Sequence, residues 1–256
     1  MLRKFVIAAL AAAGIAAAMP ALAAGGDTKL EHREWSFDGV FGRYDDAQLQ
    51  RGLQVYREVC ATCHSMDLVR FRNLLDIGVT EDDAKAYAGQ FEIVDGVDDS
   101  GEPMSRPRGL ADRLPAPFPN EKAARAANNG ALPPDLSLMA KARMNGPDYI
   151  YTLLTSFADE QPEHFTLADG MYYNPAFPGH QIAMPQMLFD DAVSFESGAP
   201  TDLASVSADT AAFLMWAAEP NLEARKSLGV KVMLFLIVLT ALFYAYKRQI
   251  WSRVKH

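Results

Sequence analysis

The sequence has 256 residues, 50% of them hydrophobic, with 32 acidic against 24 basic side chains and a net charge of −8. That balance argues against nucleic acid as a partner, and two cysteines cannot supply a disulfide framework. The length suits one domain with a real core and sizeable loops, and no internal repeat is visible.

Met1 to Ala24, MLRKFVIAALAAAGIAAAMPALAA, places Arg3 and Lys4 before an apolar run of small residues that closes on Ala21-Leu22-Ala23. This is the pattern of a cleaved signal peptide, residues 1–24, so the bulk of the chain is expected outside the cytoplasm. The exported region, residues 25–225, holds all 32 acids and 16 of the bases, a net of −16. Such a domain suits a basic protein partner and argues against nucleic acid or an anionic membrane surface as what its acidic face meets, while the plain alternative is that the acids keep it soluble.

A first helix is expected in RYDDAQLQRGLQVYREVC, capped by Asp45 or Asp46, with Leu49, Gly52, Leu53, Tyr56 and Val59 along one face. Both cysteines follow at its end. FEIVDG carries a weak strand signal, and Asp95 to Asn120 reads as a long surface excursion with little regular structure. Helical patterning returns in EKAARAANNG, stopped by Gly130 and Pro133-Pro134, and in DYIYTLLTSF after the turn at Asn145-Gly146-Pro147. The run ADGMYYNPAFPGHQIAMPQML is too irregular for helix or strand. SADTAAFLMWAAEP is a last domain helix, capped by Ser207 or Asp209.

Leu228 to Tyr246 is a nineteen-residue apolar stretch with one charge, Lys231, enough for a single membrane-spanning helix. The tail, residues 247–256, carries Lys247, Arg248, Arg253 and Lys255 with no acid, which places it on the cytoplasmic side. The fold class is therefore mainly α, with long irregular loops, plus one C-terminal transmembrane helix.

Cys60-Ala61-Thr62-Cys63-His64 is C-x-x-C-H, the attachment pattern of a covalent haem, so the helical domain is expected to be a haem domain of the cytochrome c kind. Two residues between the thiols let each add to one porphyrin vinyl group, and the imidazole of His64 then lies under the iron. The rivals are a zinc site, which lacks a second cysteine pair, a thioredoxin-like redox pair, which lacks its βαβ setting, and a strained disulfide. Iron held by one histidine can take a second ligand or stay open, which separates electron transfer from sensing or peroxidase chemistry. Among eleven methionines, Met66 is too near His64 to cross the ring, and Met139, Met144 and Met215 sit in or beside helices as core candidates. Met104 and Met171 lie in loops without distinguishing context. Met184, in GHQIAMPQML with Pro185 behind it, is the favoured sixth ligand; Met187, His164 and His180 remain alternatives, and His32 reads as a surface residue.

Several stretches together resemble the cytochrome c1 family: WSFDGVFGRYD from Trp35, CATCHSMDLVRFRNL from Cys60, ARAANNGALPPDLS from Ala124, DYIYTLLT from Asp148, YYNPAFPGHQIAMP from Tyr172 and FLMWAAEPNLEARKSLGVKV from Phe213. The resemblance implies one haem c bound through two thioethers, with His64 and Met184 as axial ligands. It implies Pro133 and Pro134 against the haem, Arg143 and Tyr149 toward its propionates, and Asn128 nearby. It further implies a place in a cytochrome bc1 complex of the bacterial inner membrane, dimeric, with the haem domain in the periplasm. There the chain would pass electrons from a Rieske iron–sulfur protein to a soluble basic c-type cytochrome, beside a cytochrome b subunit, with no catalysis of its own. Another membrane-anchored cytochrome, or a haem sensor or peroxidase, is the alternative. Some bacterial relatives brace the methionine loop with a cysteine pair; this chain has none, so packing and proline must hold it.

Overall fold

The computed structural model describes residues 30–158, 160–163 and 165–253, so the expected signal peptide, His164 and the last three residues lie outside it. Helix α1, Asp46–Glu58, starts where the Asp45 side chain accepts from the Gln48 amide. Its stripe of Leu49, Gly52, Leu53 and Tyr56 is buried as the spacing requires. Beyond the thiol segment come a 3₁₀ turn at Phe71–Ile77, α2 at Glu81–Ala88, and an antiparallel hairpin of β1, Glu92–Val97, and β2, Pro103–Pro107. Then follow α3 at Glu121–Ala127, α4 at Met139–Ala142 and α5 at Gly146–Thr155. Two short strands, β3 at Tyr172–Tyr173 and β4 at Gln181–Ile182, pair before α6, Leu203–Ala218, and α7, Leu222–Trp251.

Helix α6 is the centre of the core, and α1, α4 and α5 all pack on it. It is buried almost all round, with Phe213 ringed by Tyr56 and Trp216 at centroid distances of 6.0 and 5.6 Å. The α1–α6 crossing is close because Gly52 has no side chain. A Cβ there would stand 2.2 Å from the Asp209 carbonyl oxygen and 2.5 Å from the Phe213 Cβ. Next to it Arg51 grips the buried Asp209 carboxylate through Nε at 2.6 Å and Nη2 at 3.0 Å, so the one acid inside the crossing is paired.

Residues 30–44 strap this bundle. The buried carboxylate of Asp148 on α5 accepts from the Trp35 indole at 2.7 Å and from the Arg33 amide at 3.2 Å, and His32 Nδ1 lies 2.7 Å away. Lys226 on α7 reaches back to the Phe37 carbonyl at 2.5 Å. From Leu222, α7 runs thirty residues, about 45 Å, with an apolar window of mean hydropathy 2.3 that no described residue covers. It is long and apolar enough to cross a membrane.

Several expectations need correction. The cap of α6 is Asp202, accepting from the Ser205 amide at 3.0 Å; Ser207 and Asp209 are buried inside the helix. Asp95 to Asn120 is not wholly irregular. The β1–β2 hairpin closes on Asp98, whose Oδ1 accepts from the amides of Ser100 and Glu102, and Arg106 bridges Asp95 and Asp112. Its strands are exposed on both faces apart from half-buried Ile93, so no apolar alternation marks them in the sequence. The Gly/Pro-rich run likewise contains the β3–β4 pair. Helix α2 was not anticipated, because its apolar face is only Ala84, Tyr87 and Ala88; the Thr80-x-x-Asp83 cap was its readable signal.

Two measurements check this account. Gly52→Ala gains about 1 kcal/mol of helix propensity but drives a methyl into backbone, so a net loss of about 2 kcal/mol is expected in denaturant titration. His32 is 82% exposed, and its pairing with Asp148 raises its pKa above 6.5. Its contribution is therefore full below 6.5 and lost as pH rises through the raised value. The difference in thermal midpoint between wild type and His32→Ala should shrink from about pH 6 to about pH 9.

Candidate haem site

Where α1 ends, the chain tightens into a 3₁₀ turn at Cys60–Thr62. The Cys60 carbonyl accepts from the amides of both Cys63, at 3.1 Å, and His64, at 2.9 Å. The Thr62 hydroxyl closes the turn on the Val59 carbonyl at 2.6 Å. The two thiols are not bridged to each other. Burial pushes the Cys60 thiol up to about 12, which keeps it protonated rather than as the thiolate a redox pair uses. Among the described residues no three His, Cys, Asp or Glu side chains gather as a metal-ligand set, so the zinc reading finds no further ligands there.

His64 Nδ1 lies 2.8 Å from the Pro134 carbonyl oxygen. A carbonyl can only accept, so Nδ1 carries the proton and the Nε2 lone pair is left to bind a metal. Burial pushes the His64 pKa down, outweighing the Pro134 bond and the Asp135 charge, and so favours the neutral imidazole that ligation needs.

Pro134 is itself held. Leu136 N donates to the Ser65 carbonyl at 2.9 Å and Leu68 N to the Ser137 hydroxyl at 3.0 Å. Asp135 Oδ2 accepts from Ser65 Oγ at 2.8 Å and Asp67 N at 2.7 Å, while Oδ1 takes the Ser137 amide at 2.9 Å. Burial raises the Asp135 pKa, but these donors outweigh it and leave the carboxyl below its ordinary value. Asp135 was not singled out from sequence; a carboxylate directly after Pro-Pro carries no local signature of a partner seventy residues away.

Of the remaining site candidates, Pro133 is half-buried and Pro134 exposed beside His64. Tyr149 is buried at the start of α5. Burial pushes its hydroxyl pKa up, and the neighbouring Arg143 guanidinium pulls the other way, so these two residues do come together. Asn128 is half-buried at the C-cap of α3, where its amide donates to the Ala124 carbonyl at 2.8 Å. No hydrogen bond joins it to His64, Arg143 or Tyr149.

Met184 sits two residues past β4, half-buried in a bend, and Met187 is 39% exposed. Met66 is fully buried in the core, and Met139 and Met215 pack against it. Met144 is 73% exposed, contrary to its expected core role, because α4 ends at Ala142 and leaves it on the turn. The Met184 loop is held by more than proline. Asn174, fully buried, donates from Nδ2 to the Leu153 carbonyl at 2.8 Å, accepts from the Ala176 amide at 3.0 Å, and gives its own amide to the His180 carbonyl at 3.0 Å. His180 Nδ1 is tied to the Pro175 carbonyl at 3.0 Å, at a residue with φ of 58°.

Fold and site define a class: a helical domain built on a C-x-x-C-H turn, joined to a helix able to span a membrane. Comparison with known proteins narrows it. The Cytochrome C1 family model matches residues 35–254. The chain is 48% identical over 265 residues to "Cytochrome c1" of Rhodospirillum rubrum, covering 97% of each. It is 50% identical over 222 residues to "Cytochrome c1 1, heme protein, mitochondrial" of Arabidopsis thaliana, covering 86% of this chain and 72% of that one. It is 43% identical over 266 residues to "Cytochrome b-c1 complex catalytic subunit, mitochondrial" of Candida albicans, covering 100% and 92%. The chain belongs to the cytochrome c1 family.

The Asp135 clamp gives a direct test. Asp135→Ala strands three donors, so a loss of about 2–4 kcal/mol in urea unfolding is expected, and Asp135→Asn should recover part of it.

Proposed function

We propose that this chain is the haem-bearing electron-relay subunit of a cytochrome bc1 complex. The observation that carries the reading is the His64 Nδ1–H bond to Pro134, which leaves the Nε2 lone pair free to take a metal on a residue that follows the half-buried thiols of Cys60 and Cys63 in one turn. The residues fit a c-type haem. Cys60 and Cys63 would hold it by two thioethers, one haem per chain, with His64 and Met184 as axial ligands. Pro133 and Pro134 would lie against its face, and Arg143 and Tyr149 would meet its propionates with Asn128 nearby. The name of the Candida relative supports the complex, and hence a cytochrome b partner; that of the Arabidopsis relative supports haem.

When bound, the haem would supply a one-electron couple, and a thioether ligand from Met184 would raise its potential. The protein's part is to orient and to exclude. The Pro134 carbonyl sets the imidazole plane, and the Asn174-pinned loop holds Met184 so that ligand exchange stays slow. The electron would arrive from a Rieske iron–sulfur protein and leave to a soluble basic c-type cytochrome. The net −16 of residues 25–225 would steer that carrier by long-range attraction. In this reading the haem domain stands in the bacterial periplasm, α7 crosses the inner membrane, and the complex is dimeric. Quinol oxidation belongs to the assembled complex, and the chain itself makes and breaks no substrate bond.

Met184→Leu tests the ligand. The oxidised spectrum should lose the methionine–iron charge-transfer band and the potential should fall by on the order of a few hundred mV. An unchanged spectrum would overturn Met184 as ligand, and ready carbon monoxide binding by the reduced wild type would overturn the relay.

A further inference from the structure

At the base of the domain, between the turn at residues 38–43 and the first turns of α7, lies a groove of about 470 Å³. Val40, Phe41 and Val230 give it apolar walls, and Arg43, Lys226 and Lys231 give it positive charge. The turn is tight and needs both of its glycines. Gly39 has φ of 67°, and a Cβ on Gly42 would stand 1.9 Å from the Asp38 carbonyl oxygen. Lys226 then pins the turn to α7 through the Phe37 and Gly42 carbonyls, at 2.5 and 3.5 Å. What is held so firmly is an exposed apolar tip: Val40 is 61% and Phe41 83% accessible.

The position explains the exposure. Lys226 precedes the apolar stretch by two residues, and Lys231 lies within its first turn, so with α7 set across a membrane the groove would open at the level where headgroups meet hydrocarbon. Of the groove's charges, Glu223 is taken up by the Tyr44 amide at 3.0 Å and Lys226 by the two carbonyls. Arg43 and Lys231 have no ion-pair partner among the described residues, which leaves two unpaired cations on a groove of mixed polar and apolar lining where Glu223 is the one acid.

We propose that this groove seats one anionic phospholipid from the leaflet on the haem-domain side. Its phosphodiester would lie between Arg43 and Lys231, and one acyl chain would run past Val40, Phe41 and Val230 along α7. A partner helix fits less well, because it would bury two unpaired cations, and a free phosphate would leave the apolar walls unused. Phe41 would enter the interface as an aromatic anchor and fix the height of the domain above the membrane.

The test is a titration of full-length, haem-loaded protein in detergent micelles with phosphatidylglycerol or phosphatidylcholine, read by native mass spectrometry. We expect one phosphatidylglycerol bound about tenfold more tightly than phosphatidylcholine, a preference abolished in the double variant Arg43→Gln, Lys231→Gln and weakened in Phe41→Ser. The absorption spectrum should not change in any variant, which separates loss of lipid from loss of fold. Equal binding of the two lipids would overturn the proposal. So would a preference that survives the double variant, or one lost instead in Lys247→Gln, Arg248→Gln at the far end of α7. Displacement by millimolar inorganic phosphate would make this a phosphate site. A photo-crosslinker at position 41 in native membranes should capture lipid; capture of a polypeptide would assign the groove to a partner subunit.

Discussion

The close approach of α1 to α6 at Gly52 is the contact on which the rest of the molecule depends. Helix α1 delivers the Cys60–His64 turn from its C-terminal end, and α6 leads after three residues into the long apolar α7. Because Gly52 lets backbone meet backbone, the two helices lock at one register, with Arg51 and Asp209 beside the contact. A looser crossing would shift the candidate haem site relative to the membrane-facing end. The bidentate pair adds direction where apolar packing alone is tolerant of small slides.

From that frame the site is built by carbonyls and one carboxylate. The His64 ring is set by Pro134, Pro134 is set by the bonds around Asp135, and Asp135 is set by donors from the segment that contains His64. The loop closes on itself, so disturbing either strand of it releases the imidazole. Asn174 does the same for the Met184 loop, spending its side-chain amide on α5 and on its own turn. Both devices satisfy buried polar groups completely, which is what lets irregular chain hold a fixed shape without a disulfide.

Charge is divided along the molecule in the same sense. The acidic excess belongs to the domain, while Lys226, Lys231, Lys247 and Arg248 line both ends of the apolar stretch. The exposed turn at Val40 and Phe41 stands where the acidic domain meets the first of these cations.

Much of this was legible in the residues themselves. Helices α1, α3, α5 and α6 and the apolar span of α7 announce themselves by periodicity, caps or length, and C-x-x-C-H points to haem because each of its three side chains has a separate chemical task in the proposed site. These are local signals, set by bonds within a few residues. The exposed hairpin and α2 escaped because surface strands and one-turn faces leave no apolar pattern. The cap of α6 was misplaced because Ser207 and Asp209, cap-forming residues by type, are claimed by the core instead. What only the tertiary structure decided is the company each group keeps: Asp135 under His64, Asn174 across from Leu153, Asp148 among His32, Arg33 and Trp35, Phe41 beside Lys226. Composition and spacing state which polar groups a chain owns, but a buried donor takes whatever acceptor the packing brings to it.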